Sequence, residues 1–476
     1  MTGRRTKIVG TLGPASRGPQ AVARLVEAGL DVVRLNYAHG SPDEHAQALA
    51  DVRAAASRGG RPLAVLQDLA GPKIRTGPLA AGEVELEPGA AFTLTGRDVP
   101  GDAREVSLTW PTLARDVRPG DRLLLADGML ELEAVAVAES DIDCRVITGG
   151  RLGAHKGINV PGRAIAAPSL TAKDRADLAL GVAAGVDAVA LSFVRSRRDV
   201  EAARAAARAA GGDVLIVAKI ERPEALSDLD GILEAADGIM VARGDLGVEI
   251  PLERVPVVQK SLIERANRAG KLVITATQML RSMVDSPRPT RAEVADVANA
   301  ILDGTDAVML SEETATGAWP AEAVATMARI AVEVETIFPH DVWARRVQRR
   351  PRESDAEAVA HAACEMAERL QAEAILTLTR TGETARLVAK FRPAQPVLAL
   401  TPDEATYRRL AVVWGVTPAL VPAVDDVAAQ EREAVRRALA AGLLRPGGRA
   451  VLTGGAPPSA GGTNLIRIVM AAPAAQ

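Results

Sequence analysis

Over the first 340 residues, short apolar runs rich in Val, Ile and Leu alternate with longer stretches whose apolar positions recur every three or four residues. The first pattern is that of strands buried on both faces, the second that of amphipathic helices. The runs "TKIVGTLG", "VVRLNYAHG", "LAVLQDLAG", "DAVALSFV", "VLIVAKIE", "GIMVARGD", "KLVITATQ" and "DAVMLSEETA" are eight predicted strands. Helical stretches such as "PQAVARLVEAG" and "VPVVQKSLIERANRAG" lie between most of them. Strands alternating with helices indicate a parallel sheet. Eight repeats suit a closed (β/α)8 barrel, although a doubly wound sheet would show the same alternation.

The rhythm breaks between the third and fourth strands. From about Gly71 to Pro168 helical periodicity nearly vanishes, and "GEVELEPGAAFTLTG", "RPGDRLLLADGMLELEAVAVAES" and "IDCRVITGGRLGAHKGINVPG" alternate with Gly and Pro turns. This reads as a small all-β insertion at 72–167, splitting a barrel made of 1–71 and 168–340. A polar, arginine-rich connection follows, "PHDVWARRVQRRPRESDAE". Beyond it, at 345–476, a separate α/β unit is expected, with "EAILTLT", "PVLALTP" and "RAVLTG" as strands. Heptads, low-complexity tracts and short repeats are not seen.

Composition narrows the function. A length of 476 residues implies roughly two to four domains. With 48% hydrophobic and 25% charged residues the chain has the make-up of a soluble globular protein. Its net charge of −3 gives no basic field for nucleic acid or an anionic membrane. The two cysteines, Cys144 and Cys364, support neither a disulfide framework nor a zinc site. No signal-peptide core or membrane-length apolar run is present, so a cytoplasmic location is expected.

Candidate chemistry collects at one end of the strands. In a βα barrel the loops after the strands surround one mouth. The second strand ends in Arg34, Asn36 and His39, and the third in Asp68, followed by Lys73 and Arg75. The fifth ends in Lys219 and Glu221, the sixth in Arg243, Gly244 and Asp245, the seventh in Thr277 and Gln278, the eighth in Ser311 and Glu313. Residues two apart on a strand share a face, so Lys219 and Glu221 share a wall. A set of structural ion pairs has no reason to choose the same end of six strands. Two carboxylates without nearby His or Cys suit Mg²⁺, which fills its shell with water and phosphate oxygens. Arg34, Arg75 and Lys219 around them imply a substrate with several negative charges, and cations with a metal are a means of steadying a transferring phosphoryl group. Neither a Walker A pattern nor a Rossmann GxGxxG follows a strand.

Taken in order, "TKIVGTLGPAS", "VVRLNYAHG", "DLAGPKIRTG", "HKGINVPG", "VAKIE", "MVARGDLGVEI", "ITATQMLRSM" and "DAVMLSEETATGAWP" resemble the pyruvate kinases over nearly the whole chain. The resemblance implies a TIM barrel carrying an inserted small β-barrel lid and a C-terminal α/β three-layer regulatory domain. It implies phosphoryl transfer from phosphoenolpyruvate to ADP, giving pyruvate and ATP. Carried onto this sequence, Glu221 and Asp245 would hold Mg²⁺ or Mn²⁺, Lys219 would stabilise the phosphoryl group in flight, and Arg34 would clamp the phosphate. The Gly244 and Asp245 amides with the Thr277 hydroxyl would seat the substrate carboxylate. Thr277, with Ser311 and water, is the candidate proton relay to the enolate. Asn36, His39, Arg75 and Lys156 resemble the ADP contacts, with Lys156 brought by the lid. Lys173 is assigned to a helix start, as a structural residue.

Relatives that need K⁺ hold it with Asn, Ser, Asp and Thr side chains; here those positions read Asn36, Ala38, Asp68 and Leu69. Lys73 stands where such relatives carry glutamate, and its ammonium can replace the missing cation, which predicts activity without added K⁺. In "LTRTGETARLVAKFRP", Thr379, Thr381, Gly382 and Thr384 form a loop running into a helix, a phosphate nest that the family uses for sugar-phosphate or nucleotide effectors. A homotetramer is implied by the same resemblance. Two rival readings are a Mg²⁺-dependent barrel lyase or aldolase, which would need neither Lys156 nor Lys219 aimed at a phosphate, and a non-catalytic sensor, which has no use for Lys219, Glu221, Asp245, Arg34 and Thr277 together.

Overall fold

The structure is a computed structural model, and it describes residues 3–163, 165, 167–347, 354–424, 426–455 and 462–473. Eight parallel strands close into one barrel, each pairing with its sequence neighbours and the first with the last. They are Lys7–Thr11, Val32–Asn36, Ala64–Asp68, Ala188–Leu191, Leu215–Ile220, Gly238–Ala242, Leu272–Ala276 and Ala307–Leu310. The closed ring settles the choice between a barrel and an open sheet.

Alternation along each strand divides its residues between two cores. Ile8, Val33, Val65, Val189, Ile216, Ile239, Val273 and Val308 pack outward against the helices. Val9, Val32, Leu66, Ala190, Val217, Met240, Ile274 and Met309 belong to a second buried cluster, which fills the barrel and continues into Phe338, Trp343, Val412 and Val413. Helix ends follow local chemistry: Ser41, Thr171 and Thr290 each close a capping box with an acidic residue three positions on. Thr171 starts the helix Ala172–Ala184, and there Lys173 Nζ donates to the Tyr37 carbonyl at 2.8 Å and pairs with Asp177 at 2.5 Å.

Between the third and fourth barrel strands the chain forms a six-stranded and a two-stranded sheet, both contributing to one apolar core that includes Leu86, Phe92, Leu123, Leu132, Val146 and Leu152. The expected small barrel is thus two ladders without continuous hydrogen bonding around it. The chain changes sheets at Gly149 and Gly150, the latter at φ 143°, between strands Asp141–Thr148 and Gly150–Gly153. A Cβ at Gly149 would lie 2.2 Å from the Leu86 carbonyl oxygen, so the corner accepts only glycine.

Helix His340–Val347 occupies the first part of the polar connection, and 348–353 lie outside the described residues. Among the described residues the C-terminal unit contains five strands where the sequence indicates three. The additional ones, Val416–Leu420 and Leu465–Met470, are the two edges of its sheet. Pro418 obscures the first in sequence, and an edge is where a strand tolerates proline. Among the described residues no helix is long and apolar enough to cross a membrane, and Cys144 and Cys364 are buried free thiols.

Candidate active site

The inward parity that fills the barrel with Val9, Val32, Leu66, Ala190 and Val217 continues at the C-terminal ends of the strands with Thr11, Arg34, Asp68, Ser192 and Lys219. These five are joined by direct contacts. Arg34 donates from Nε to Asp68 Oδ2 at 2.6 Å and from Nη1 to Thr11 Oγ1 at 3.0 Å. Lys219 Nζ lies 2.7 Å from Ser192 Oγ, 3.3 Å from Asp68 Oδ1 and 2.9 Å from Glu221 Oε1. The Ser192 hydroxyl donates to the Leu69 carbonyl at 2.7 Å, and the Phe193 amide donates to Glu221 Oε2 at 2.7 Å.

Burial alone would lower the Lys219 pKa, but Asp68 and Glu221 outweigh it and lift the ammonium above the ordinary lysine range. Burial would likewise raise Asp68, yet Lys219 and Arg34 hold its carboxyl below the usual carboxylate range. Glu221 goes the other way: it is 1% exposed, burial pushes it up, and the charge of Asp245 adds to the effect against Lys219. Two carboxylates that repel each other in a half-enclosed mouth form a site that gains from a cation. Among the described residues no three His, Cys, Asp or Glu could close around an ion. Two hard-oxygen ligands with open coordination fit Mg²⁺, which keeps several water or substrate ligands.

Asp245 lies in the first turn of helix Arg243–Glu249, directly after the sixth strand. Its Oδ1 accepts from Lys73 Nζ at 3.0 Å, and Lys73 is 3.9 Å from Asp127 of the insertion. Lys73, at the start of the insertion, therefore links Asp245 to Asp127. Asn36 caps its own turn, its Oδ1 accepting from the Ala38 amide at 3.2 Å, and Leu69 is buried.

Thr277 follows the seventh strand at φ 78°, and Gln278 at φ 55°. A β-branched residue in the left-handed region is a true outlier, and such strain clusters at functional sites. A Cβ at Gly244 would lie 2.7 Å from Thr277 Cγ2, so the two positions are packed as closely as glycine allows. At the eighth strand's end, Glu313 accepts from the Ser311 amide at 2.7 Å and the Leu280 amide at 3.1 Å, a buried support for that turn.

The remaining candidates lie at the rim. His39 is exposed, and its pKa is lowered by partial burial and by the charges of Arg75 and Arg34. Arg75 donates to the His155 carbonyl at 3.1 Å, and Lys156, exposed, follows on the insertion. Among the described residues no hydrogen bond or ion pair draws Asn36, Lys156 or Ser311 into the Lys219 cluster. Sequence reasoning missed Thr11, Ser192 and the Phe193 amide. The first two lie two residues beyond inward-facing Val9 and Ala190, and that parity would have found them.

Far from this mouth, Thr379 Oγ1 accepts from the Gly382 amide at 2.9 Å, and Thr384 Oγ1 is 2.7 Å from Thr463 Oγ1. Gly382 is left-handed at φ 83° and precedes helix Glu383–Lys390. The loop, with Thr381, borders an open cleft facing Val421–Val424.

A (β/α)8 barrel with cations and two carboxylates at the strands' C-terminal ends defines the class: a barrel phosphotransferase. Comparison gives the family. The profile described as "Pyruvate kinase, barrel domain" matches residues 3–324, and "Pyruvate kinase, alpha/beta domain" matches 357–469. The chain is 48% identical to pyruvate kinase 2 of Synechocystis sp. over 98% of its length and 79% of that protein's. It is 46% identical to the pyruvate kinase of Geobacillus stearothermophilus, covering 98% and 80%, and 45% identical to that of Corynebacterium glutamicum, covering 98% and 97%. The chain belongs to the pyruvate kinase family.

Proposed function

We propose that this chain transfers a phosphoryl group from phosphoenolpyruvate to ADP, with the Lys219 cluster as its reacting centre. The observation that carries the reading is the largely enclosed ammonium of Lys219, held by Ser192, Asp68 and Glu221 beside a second carboxylate, Asp245. A cation fixed in advance where charge develops stabilises the transition state without reorganisation. Arg34, braced by Asp68 and Thr11, clamps the donor phosphate. Glu221 and Asp245 would hold Mg²⁺ or Mn²⁺, which supplies charge neutralisation at the phosphoryl oxygens. The Gly244 and Asp245 amides and the Thr277 hydroxyl seat the substrate carboxylate.

Once the phosphoryl group has left, an enolate remains and needs a proton at carbon. A threonine hydroxyl is too weakly acidic to act alone, so Thr277 works in a relay with Ser311 and water. Asn36, His39, Arg75 and Lys156 bind ADP. The insertion at 72–167 acts as a lid whose closure excludes water and protects the donor from hydrolysis. The barrel segments 1–71 and 168–340 carry the chemistry, and 345–476 is a regulatory unit whose loop at Thr379, Thr381, Gly382 and Thr384 takes a phosphorylated effector. Lys73 supplies the charge that K⁺ gives in other relatives. The enzyme is read as a cytoplasmic homotetramer.

The test is a coupled assay of pyruvate release. Pyruvate and ATP should appear in equal amounts, and only with ADP present. Pyruvate formed without ADP would turn the reading toward the barrel lyase, and absence of turnover toward the sensor.

A further inference from the structure

In an extended strand successive carbonyls point to opposite sides. At the end of the seventh strand they do not: the carbonyls of Ala276 and Thr277 both accept from one guanidinium. Arg243 donates from Nε to Ala276 O at 3.1 Å and from Nη2 to Thr277 O at 2.7 Å. Its other arm reaches Asp296 Oδ1 at 2.6 Å on helix Arg291–Leu302, and Gln259 Oε1 at 3.3 Å on helix Val255–Arg268. The orientation of the Thr277–Gln278 peptide depends on ψ of Thr277 and φ of Gln278. That peptide joins two successive non-glycine residues of positive φ, a combination otherwise found among the described residues only at Ala126–Asp127.

We infer that Arg243 is a positioning residue for the reaction: it holds the Thr277–Gln278 peptide in its strained setting and so aims the Thr277 hydroxyl. Left-handed φ at two such residues is costly and persists only where surroundings over-determine it. A planar guanidinium can grip two carbonyls and a carboxylate at once, which an ammonium cannot. Because Gly244 and Asp245 follow Arg243 directly, the same side chain ties the carboxylate seat to Thr277 across neighbouring strands. Asp296 and Gln259 anchor the guanidinium to two helices of the outer ring, so the packing of those helices sets the geometry at the mouth. The inference rests on the reading of Thr277 given above.

The test compares full-length Arg243→Met, Arg243→Lys, Arg243→Met with Gln278→Gly, and Thr277→Ala. Turnover, KM for phosphoenolpyruvate and thermal melting are measured for each. Misplacing a reacting group by about 1 Å can cost about 10²-fold, so Arg243→Met should lose roughly 10- to 100-fold in kcat with KM changed by less than about threefold. Arg243→Lys should fall between it and the wild type. Glycine adopts positive φ freely, so adding Gln278→Gly should recover a large part of the loss, which a general weakening of the fold would not predict. Folded Arg243→Met with wild-type kcat, or a double variant as slow as Arg243→Met, overturns the inference. Should Arg243→Met not fold, Asp296→Asn loosens the guanidinium's anchor and should lower kcat in the same way; unchanged kcat there is equally contrary. Thr277→Ala separates the two levels: if it turns over normally, the reading of Thr277 fails, whatever the Arg243 variants do.

Discussion

At the scale of single residues, Lys219 shows how a side chain is committed to a task before a ligand arrives. Its three acceptors fix the ammonium, and the carboxylates keep it charged. Lys219→Met should therefore fold yet lose on the order of 10²–10³-fold or more in kcat, the range seen when one preorganised donor is removed. Steady-state rates at saturating substrates check this, with circular dichroism as the fold control; near-normal turnover would remove Lys219 from the chemistry. Lys73 supports a second prediction. Its contact with Asp245 places a fixed positive charge beside the carboxylate pair, so replacing an inert organic cation by K⁺ should leave turnover unchanged. A steep rise with K⁺ would refute it, and Lys73→Glu should create that dependence. Residue type and strand position made Arg34, Lys219, Glu221 and Asp245 readable in the sequence. Ser192 was within reach of strand parity but went unmarked because a lone serine suggests no chemistry, and the Phe193 amide was not legible at all, because a backbone N–H carries no label until its partner is beside it.

Elements place these residues, and their junctions are where substitutions should tell most. Gly71, just past the third strand, has φ 66°, and a Cβ there would lie 2.8 Å from both Ser192 Cβ and Phe193 Cδ2. Both neighbours serve the site, one through Lys219 and one through Glu221. Gly71→Ala should thus cost about 1–3 kcal/mol in stability and lower kcat by more than a stability loss alone explains. Thermal melting read beside turnover tests it, and a variant that melts early but works normally when folded would separate the turn from the site. The strand pattern was legible because alternation and length are local. The edge strands of the C-terminal sheet were not, since an edge is defined by neighbours it lacks.

Across the whole molecule, the lower end of the barrel is sealed by the C-terminal unit. Arg392, 1% exposed, pairs with Asp306 at 2.8 Å, donates to Asn267 Oδ1 at 3.0 Å and Gly304 O at 2.8 Å, and lies 4.7 Å from the Trp414 ring centroid. Lys7 crosses the same junction, donating to Val416 O at 2.8 Å. Burial lowers its pKa from 10.5 to about 8, with Asp31 opposing and Arg4 and Arg61 assisting. The folded value lies below the unfolded one, so the fold favours the neutral amine. The contribution of Lys7 to stability is greatest above pH 10.5, falls as the pH drops toward 8 and is level below that. At 1.36 kcal/mol per pKa unit the penalty at neutral pH is about 3 kcal/mol. Lys7→Met should raise the melting temperature at pH 7, with the gain shrinking between pH 8 and 10; a gain independent of pH would show that the amine's charge is not the cause.

By itself the sequence determined the eight-fold alternation of strand and helix, the all-β interruption and the gathering of charge at one end of the strands. Each of these is written in spacings of a few residues, where side-chain parity and helical period act. Tertiary structure alone decided that the ring closes, that Ser192 and a backbone amide complete the surroundings of Lys219 and Glu221, that Thr277 takes a left-handed setting under Arg243, and that Arg392 plugs into the far end. Those outcomes depend on distances between residues dozens to hundreds of positions apart, which packing fixes and local pattern does not carry.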